Sequence, residues 1–394
     1  MKTTIITIIA ALLLPLGAMA MTEGFEPVLT EIEKNNSTLS ALREEAGANK
    51  LNNLTGLTLA NPEVEFNYLW GSPSEIGSRK DFSVTQTFDF ATLLGYKRNV
   101  AERQNNLIDL QLKQERLNIL LEAKKNLIDL VYYNGLRKEL TTRLNYAQYL
   151  ADAYNERLEK GDANILEVNK VKLNLTSTLN ELRRVEIERE SLLNNLKRLN
   201  GGIPLNFEEN NYTREVLPPD FDSWYQVAEV KNPVLQYVRG ETDLANEEVK
   251  LSKSKGLPSF STGYAMEKTL GQNYQGISFG ISIPLWENKN RVKQAKASVR
   301  ASQSKEKDVR LQFYTSLSGL YNKTRGLQKV ALDYSASLAS LNNSALLQKA
   351  LNSGEISLLD YIVENGLYYD AVNQALQAQR DYEISLAELQ VFEL

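Results

Sequence analysis

Four short stretches of this chain alternate apolar with polar or small residues, and nearly all the rest repeats at helical spacing. In NPEVEFNYLW, Val64, Phe66, Tyr68 and Trp70 point one way and Glu63, Glu65 and Asn67 the other. In DFSVTQTFDF, Phe82, Val84, Phe88 and Phe90 oppose Ser83, Thr85, Thr87 and Asp89. The third stretch sets Phe260, Tyr264 and Met266 against Ser259, Ser261, Gly263 and Glu267. The fourth sets Ile277, Phe279, Ile281, Ile283 and Leu285 against Ser278, Gly280 and Ser282. A period of two predicts strands, and the turn-rich loops GSPSEIGSRK and KTLGQNYQ predict two hairpins, 62–90 and 258–285.

Elsewhere the apolar residues step by three or four. Leu136, Leu140, Leu144, Ala147, Ala151, Tyr154 and Leu158 do so, as do Val168, Val171, Leu175, Leu182, Val185, Leu192, Leu196 and Leu199 across polar gaps. From Ala91 to Leu158 no proline intervenes, and 288–353 reads as a second helix of the same kind. At 1.5 Å per residue each approaches roughly 100 Å. A compact core does not use such lengths.

The pattern is duplicated. KGDANILEVNKVKL and SGEISLLDYIVENGL share a glycine, a polar run and an acid six residues on, with Gly161 and Gly354 lying 193 positions apart. Pro62 and Pro258, ahead of the first strand of each hairpin, lie 196 apart, and basic clusters (Lys97 and Arg98; Lys289 and Arg291) follow the second strands. Landmarks at nearly one offset mark an internal repeat. Repeat 1 spans 21–205 and repeat 2 spans 223–394, each reading helix, hairpin, long helix, glycine turn near 161 or 354, helix. A linker at 206–222, with Pro218-Pro219, separates them.

Composition narrows the function. Lys2, the apolar run IITIIAALLLPLG and Ala18-Met19-Ala20 read as a secretory signal peptide, residues 1–20, since the apolar run is too short to span a bilayer. The expected mature chain starts at Met21, without a cysteine for a lipid anchor. The sequence contains no Cys and no His, which removes soft-metal ligands and the usual base of hydrolases. No cofactor motif and no enzyme is expected. A net charge of −4 with 45 basic and 49 acidic residues gives no reason to expect nucleic acid.

An exported chain with aromatic-rich alternating strands suggests an outer-membrane barrel. Four strands cannot close one, because about eight are needed, so two, three or four copies must share it. Apolar faces would then meet lipid and the Ser, Thr, Glu and Gly faces a wet lumen. Both helices flanking a hairpin hang on the periplasmic side, which sends the glycine turns to the far tip. A soluble sheet packed on helices is the alternative.

At this level of detail the chain resembles the TolC-like outer-membrane efflux protein family, through its strand–strand–long-helix order and the two tip motifs. The junctions TFDFATLLGYKRNVAE and SIPLWENKNRVKQA, with NPEV and NPVL, look most like the CzcC-like branch serving heavy-metal and cation resistance pumps. The resemblance implies a mixed, mainly α fold: four transmembrane strands per protomer in a trimeric twelve-stranded barrel, over a periplasmic α-barrel of coiled-coil helices. It also implies a homotrimer in outer-membrane lipid, a periplasmic adaptor, and an inner-membrane pump of the RND type. Acids beyond the second tip glycine narrow the entrance in such proteins. Asp360 matches the first such position, the next is Val363, Glu364 follows it at 100° around the helix, and Glu167 is the equivalent in repeat 1. Gly161 and Gly354 are expected to break the helices and to let an adaptor approach. Trp70, Lys97, Arg98 and Arg291 are expected at the membrane interfaces. A passive duct for metal cations or toxic small molecules is the leading function. A duct for protein secretion (type I) and a poreless periplasmic coiled-coil protein are the alternatives.

Overall fold

The computed structural model describes residues 24–394 apart from 90, 214–215, 287 and 342–343. The expected signal peptide and Phe90 lie outside the described residues. Two helices, α1 (Glu26–Asn35) and α2 (Ser37–Leu54), precede strands β1 (Glu63–Trp70) and β2 (Ser78–Phe88). Helix α3 (Ala91–Lys160) then runs for 70 residues and α4 (Ile165–Leu199) returns along it. The second half repeats the order with α5 (Phe221–Lys231), α6 (Pro233–Ser254), β3 (Ser259–Thr269), β4 (Gln272–Ser282), α7 (Arg291–Ser340), α8 (Ser344–Asn352) and α9 (Leu358–Leu389).

The two hairpins join through β2 and β3 into one antiparallel sheet of order β1-β2-β3-β4. Its register aligns every apolar set on one face: Val64, Val84, Tyr264 and Ile277 form one row, and Phe66, Phe82 and Met266 the next. Ser83, Thr85, Ser261, Gly263, Ser278 and Gly280 share the other face, as the pleat demands. A one-residue slip would invert these faces. Among the described residues the edges β1 and β4 have no partner strand.

Two expectations need correction. The second hairpin has no long loop: β3 and β4 meet at Leu270-Gly271, with φ of 46° and 78°, a two-residue turn whose positive angles suit the strand twist. The polar residues of KTLGQNYQ therefore extend the strands. The second long helix is also not continuous from 288 to 353. It ends at Ser340, where Leu341 leaves helical geometry (φ −118°, ψ 27°), and helix resumes at Ser344.

Helix α3 is the spine, packing on α4, α6, α2 and α9, while α7 packs on α6 and α9. Small cores succeed one another along it. Ile32, Leu127, Leu130 and Leu196 anchor one, and Tyr225, Tyr321, Leu386 and Leu389 another. The linker lies across the middle of α3. Phe207 and Leu217 are buried in those two cores, and the Tyr212 hydroxyl donates to the Ile128 carbonyl at 3.1 Å. The core farthest from the sheet joins Leu150, Tyr154, Val168 and Val171 with Leu358 and Tyr361. Residues from both glycine-turn regions thus share one core, which puts both turns at one end of a rod.

Candidate pore entrance and membrane-facing sheet

The tip motif has a backbone explanation. Gly161 adopts φ +81° and Gly354 φ +76°, the left-handed geometry that glycine takes without strain. The Gly161 N–H donates to the Leu158 carbonyl at 3.1 Å and the Asp162 N–H to the Arg157 carbonyl at 2.8 Å. The Gly354 and Glu355 amides bond Leu351 and Ala350 at 3.1 and 2.9 Å in the same pattern. Both are Schellman ends. A Cβ at either glycine would meet nothing within 4 Å, so the torsion and not crowding demands glycine.

Three residues on, the next helix is capped. The Asn164 side chain accepts from the Glu167 N–H at 3.0 Å, and the Glu167 carboxylate accepts from the Asn164 N–H at 2.9 Å. Ser357 and Asp360 reciprocate at 3.1 and 3.2 Å, and the Ser357 hydroxyl donates to the same Asp360 oxygen at 2.6 Å. These are capping boxes. The acid six residues beyond each glycine is therefore the third residue of a helix, held there by local hydrogen bonding.

Asp360 is exposed at the tip, whereas Glu167 is half-buried. Glu364 stands one turn beyond Asp360, about 40° around the helix, and is also exposed. It is closer in angle to Asp360 than Val363 is, at about 60°. Leu359, Val363 and Leu367, all more than half exposed, run beside the two acids as an apolar strip.

Behind this face lies a polar cavity of about 230 Å³ between α3, α4 and α9, which periodicity did not reveal. Arg143, 6% exposed, interrupts the apolar seam there. Its guanidinium stacks on the Tyr369 ring at 4.2 Å, and its Nε has no partner. Burial pulls its pKa below the usual arginine value, with Glu139 opposing at 4.0 Å. The Asn365 amide donates to the Tyr361 hydroxyl at 2.9 Å, and burial pushes that phenol up.

At the other end the sheet presents its apolar face. Phe279 is 82% exposed and Ile277 74%. Trp70 ends β1 on this face, 81% exposed, near the hairpin turns. Trp286, equally exposed beyond the helix-side end of β4, was missed by the strand reading because it follows the last alternating residue. Lys97 pairs with Asp89 at 3.2 Å, Arg291 bonds Asn288 at 2.8 Å, and Arg98 is exposed. Among the described residues no helix is long and apolar enough to cross a membrane, and no cluster of metal-ligating side chains occurs.

Residues 224–392 match the model of the outer membrane efflux protein family. No curated protein matches the sequence. The fold is similar to the Campylobacter jejuni CmeC outer membrane channel, with a TM-score of 0.74 at 16% identity over 94% of this chain and 85% of that one. It is also similar to the outer membrane protein VceC of Vibrio cholerae (TM-score 0.73, 12% identity, 93% and 95% covered). The open-state Neisseria gonorrhoeae MtrE outer membrane channel matches at 0.72 and 15% identity, over 93% and 88% of the two chains. The second half of the chain is thus similar to the outer membrane efflux protein family, and over more than nine-tenths of its length the chain carries the fold of these solved outer-membrane channels.

Proposed function

We propose that this protein is the outer-membrane duct of a tripartite efflux system, a passive conduit for substrates brought by an inner-membrane pump and a periplasmic adaptor. The observation that carries the reading is the sheet. One face gathers the large apolar residues of all four strands in register, both edges are open, and a helical rod of about 100 Å leaves one end. Three copies pairing β4 of one with β1 of the next close twelve strands, which removes the exposed edges. The rod then crosses the periplasm, and the Gly161 and Gly354 turns meet the adaptor.

In such an assembly Asp360 and Glu364 ring the entrance and favour cations, with Glu167 deeper in the wall. Trp70 sits at the outer interface, and Arg98, Lys97 and Arg291 at the inner one. Metal cations or toxic small molecules are the proposed cargo.

Single-channel recording of the purified oligomer in a planar bilayer tests this. A stable, cation-selective conductance is expected. A water-soluble monomer that leaves vesicles intact would refute the duct and favour a poreless coiled-coil protein.

A further inference from the structure

The apolar face of the sheet carries one charged row. Tyr68, Lys80, Lys268 and Asn273 lie side by side across β1 to β4, on the same face as Phe66, Phe82 and Met266. Lys80 and Lys268 are directly opposed in register and both are exposed. Neither makes an ion pair among the described residues, and Lys80 sits over the Tyr68 ring at 5.4 Å. Like charges opposed across a strand pair destabilise a sheet unless an anion lies between them.

The neighbouring carboxylates do not serve. Asp81 and Glu267 belong to the opposite face, where Arg79 pairs with them at 2.8 and 3.2 Å. The acids of the sheet thus lie on the face that holds Arg79, and among the described residues the other face leaves two ammonium groups without a paired carboxylate.

Depth identifies the counter-charge. Lys80 and Lys268 lie eight residues from Phe88 and Phe260, the apolar row nearest the helices. At about 3.4 Å per residue and about 40° of tilt, the lysines stand roughly 20 Å up the membrane normal from that row. An outer-membrane barrel has an apolar band about 25 Å tall, so this row falls at its outer rim, level with Tyr68 and below Trp70. Resting on the membrane reading above, we propose that Lys80 and Lys268 bind the phosphates of an outer-leaflet glycolipid whose acyl chains lie over Phe66, Phe82 and Met266. Long flexible stems let both ammonium groups reach one headgroup.

The test is native mass spectrometry of the detergent-solubilised oligomer titrated with bisphosphorylated lipid A, phosphate-free lipid A and inorganic phosphate. At the usual contribution of a lysine facing anionic lipid, Lys80→Gln or Lys268→Gln weakens lipid A binding about fivefold and the pair about thirtyfold. The wild-type protein discriminates against the phosphate-free lipid by a similar factor. Equal binding of both lipids by the wild type, or unchanged binding by the double variant, would overturn the proposal. Inorganic phosphate binding as tightly as lipid A would overturn the lipid assignment. Conductance of the same preparation in phosphatidylcholine vesicles separates the two readings: a protein that inserts but ignores lipid phosphates loses this proposal alone, and one that never inserts loses the duct as well.

Discussion

Asp360 tests whether one carboxylate both caps a helix and charges an entrance. Its Oδ2 takes the Ser357 N–H and hydroxyl at 3.2 and 2.6 Å, and no hydrogen bond from the described residues engages Oδ1. Asp360→Asn keeps an acceptor for Ser357 and removes the charge, while Asp360→Ala removes both. Losing the reciprocal bond costs about 1 kcal/mol, and losing an acid from the first turn adds about 0.4 kcal/mol through the helix dipole. The alanine variant then opens the start of α9 about tenfold more often, and the asparagine variant, losing the dipole contribution alone, about twofold. Hydrogen exchange at the amides of 357–361 reads the cap, and the cation-to-anion permeability ratio reads the charge. The expected pattern is a ratio lowered equally by both substitutions, with fast exchange only in alanine. Slow exchange in Asp360→Ala would refute the cap, and an unchanged ratio in Asp360→Asn would refute the ring.

Four further outcomes follow. Gly354→Ala forces an alanine to φ +76° and lowers tip stability by about 1 kcal/mol, with Gly354→Asn costing less; local exchange at 350–356 checks this. Leu386→Ala, at a fully buried position between α7 and α9, costs about 3 kcal/mol in denaturant melts of the solubilised protein. Phe279→Lys places a charge on the apolar face that the proposed duct sets against lipid, and costs about 3 kcal/mol near mid-bilayer, seen as lost insertion into vesicles with the helical CD signal retained. Glu33 accepts from Arg116 at 2.6 Å through each of its two oxygens, and this bond, ahead of opposing desolvation, holds its pKa below the usual 4.5. Its stabilising effect is complete above pH 4.5 and is lost as pH falls through the lowered value. Protection of α1 amides should therefore drop in acid, and Arg116→Met should remove that dependence.

Much of this protein was legible as pattern. Strand alternation placed Phe66, Val84 and Ile277 on one face, because the pleat has a period of two whatever the partner strand. The 193-residue offset of Gly161 and Gly354 marked equivalent turns, since only a left-handed torsion calls for glycine in such a position. The acid six residues later was equally visible as a motif, but its bond to the Asn164 or Ser357 amide depends on where the Schellman turn ends and the next helix begins.

Contacts between the halves were decided only in three dimensions. Nothing local says that β2 pairs with β3 across 170 intervening residues, or that Lys80 therefore opposes Lys268. Nothing local places Leu358 against Tyr154 either, the packing that gathers both tips at one end. Arg143 shows the same limit from the other side: charge predicts solvent, yet three helices close over it because Leu140 and Ala147, one turn to either side, are buried in the seam. Periodicity determines which face of an element is apolar. Only the tertiary arrangement determines what that face meets, because burial belongs to pairs of elements and not to either one alone.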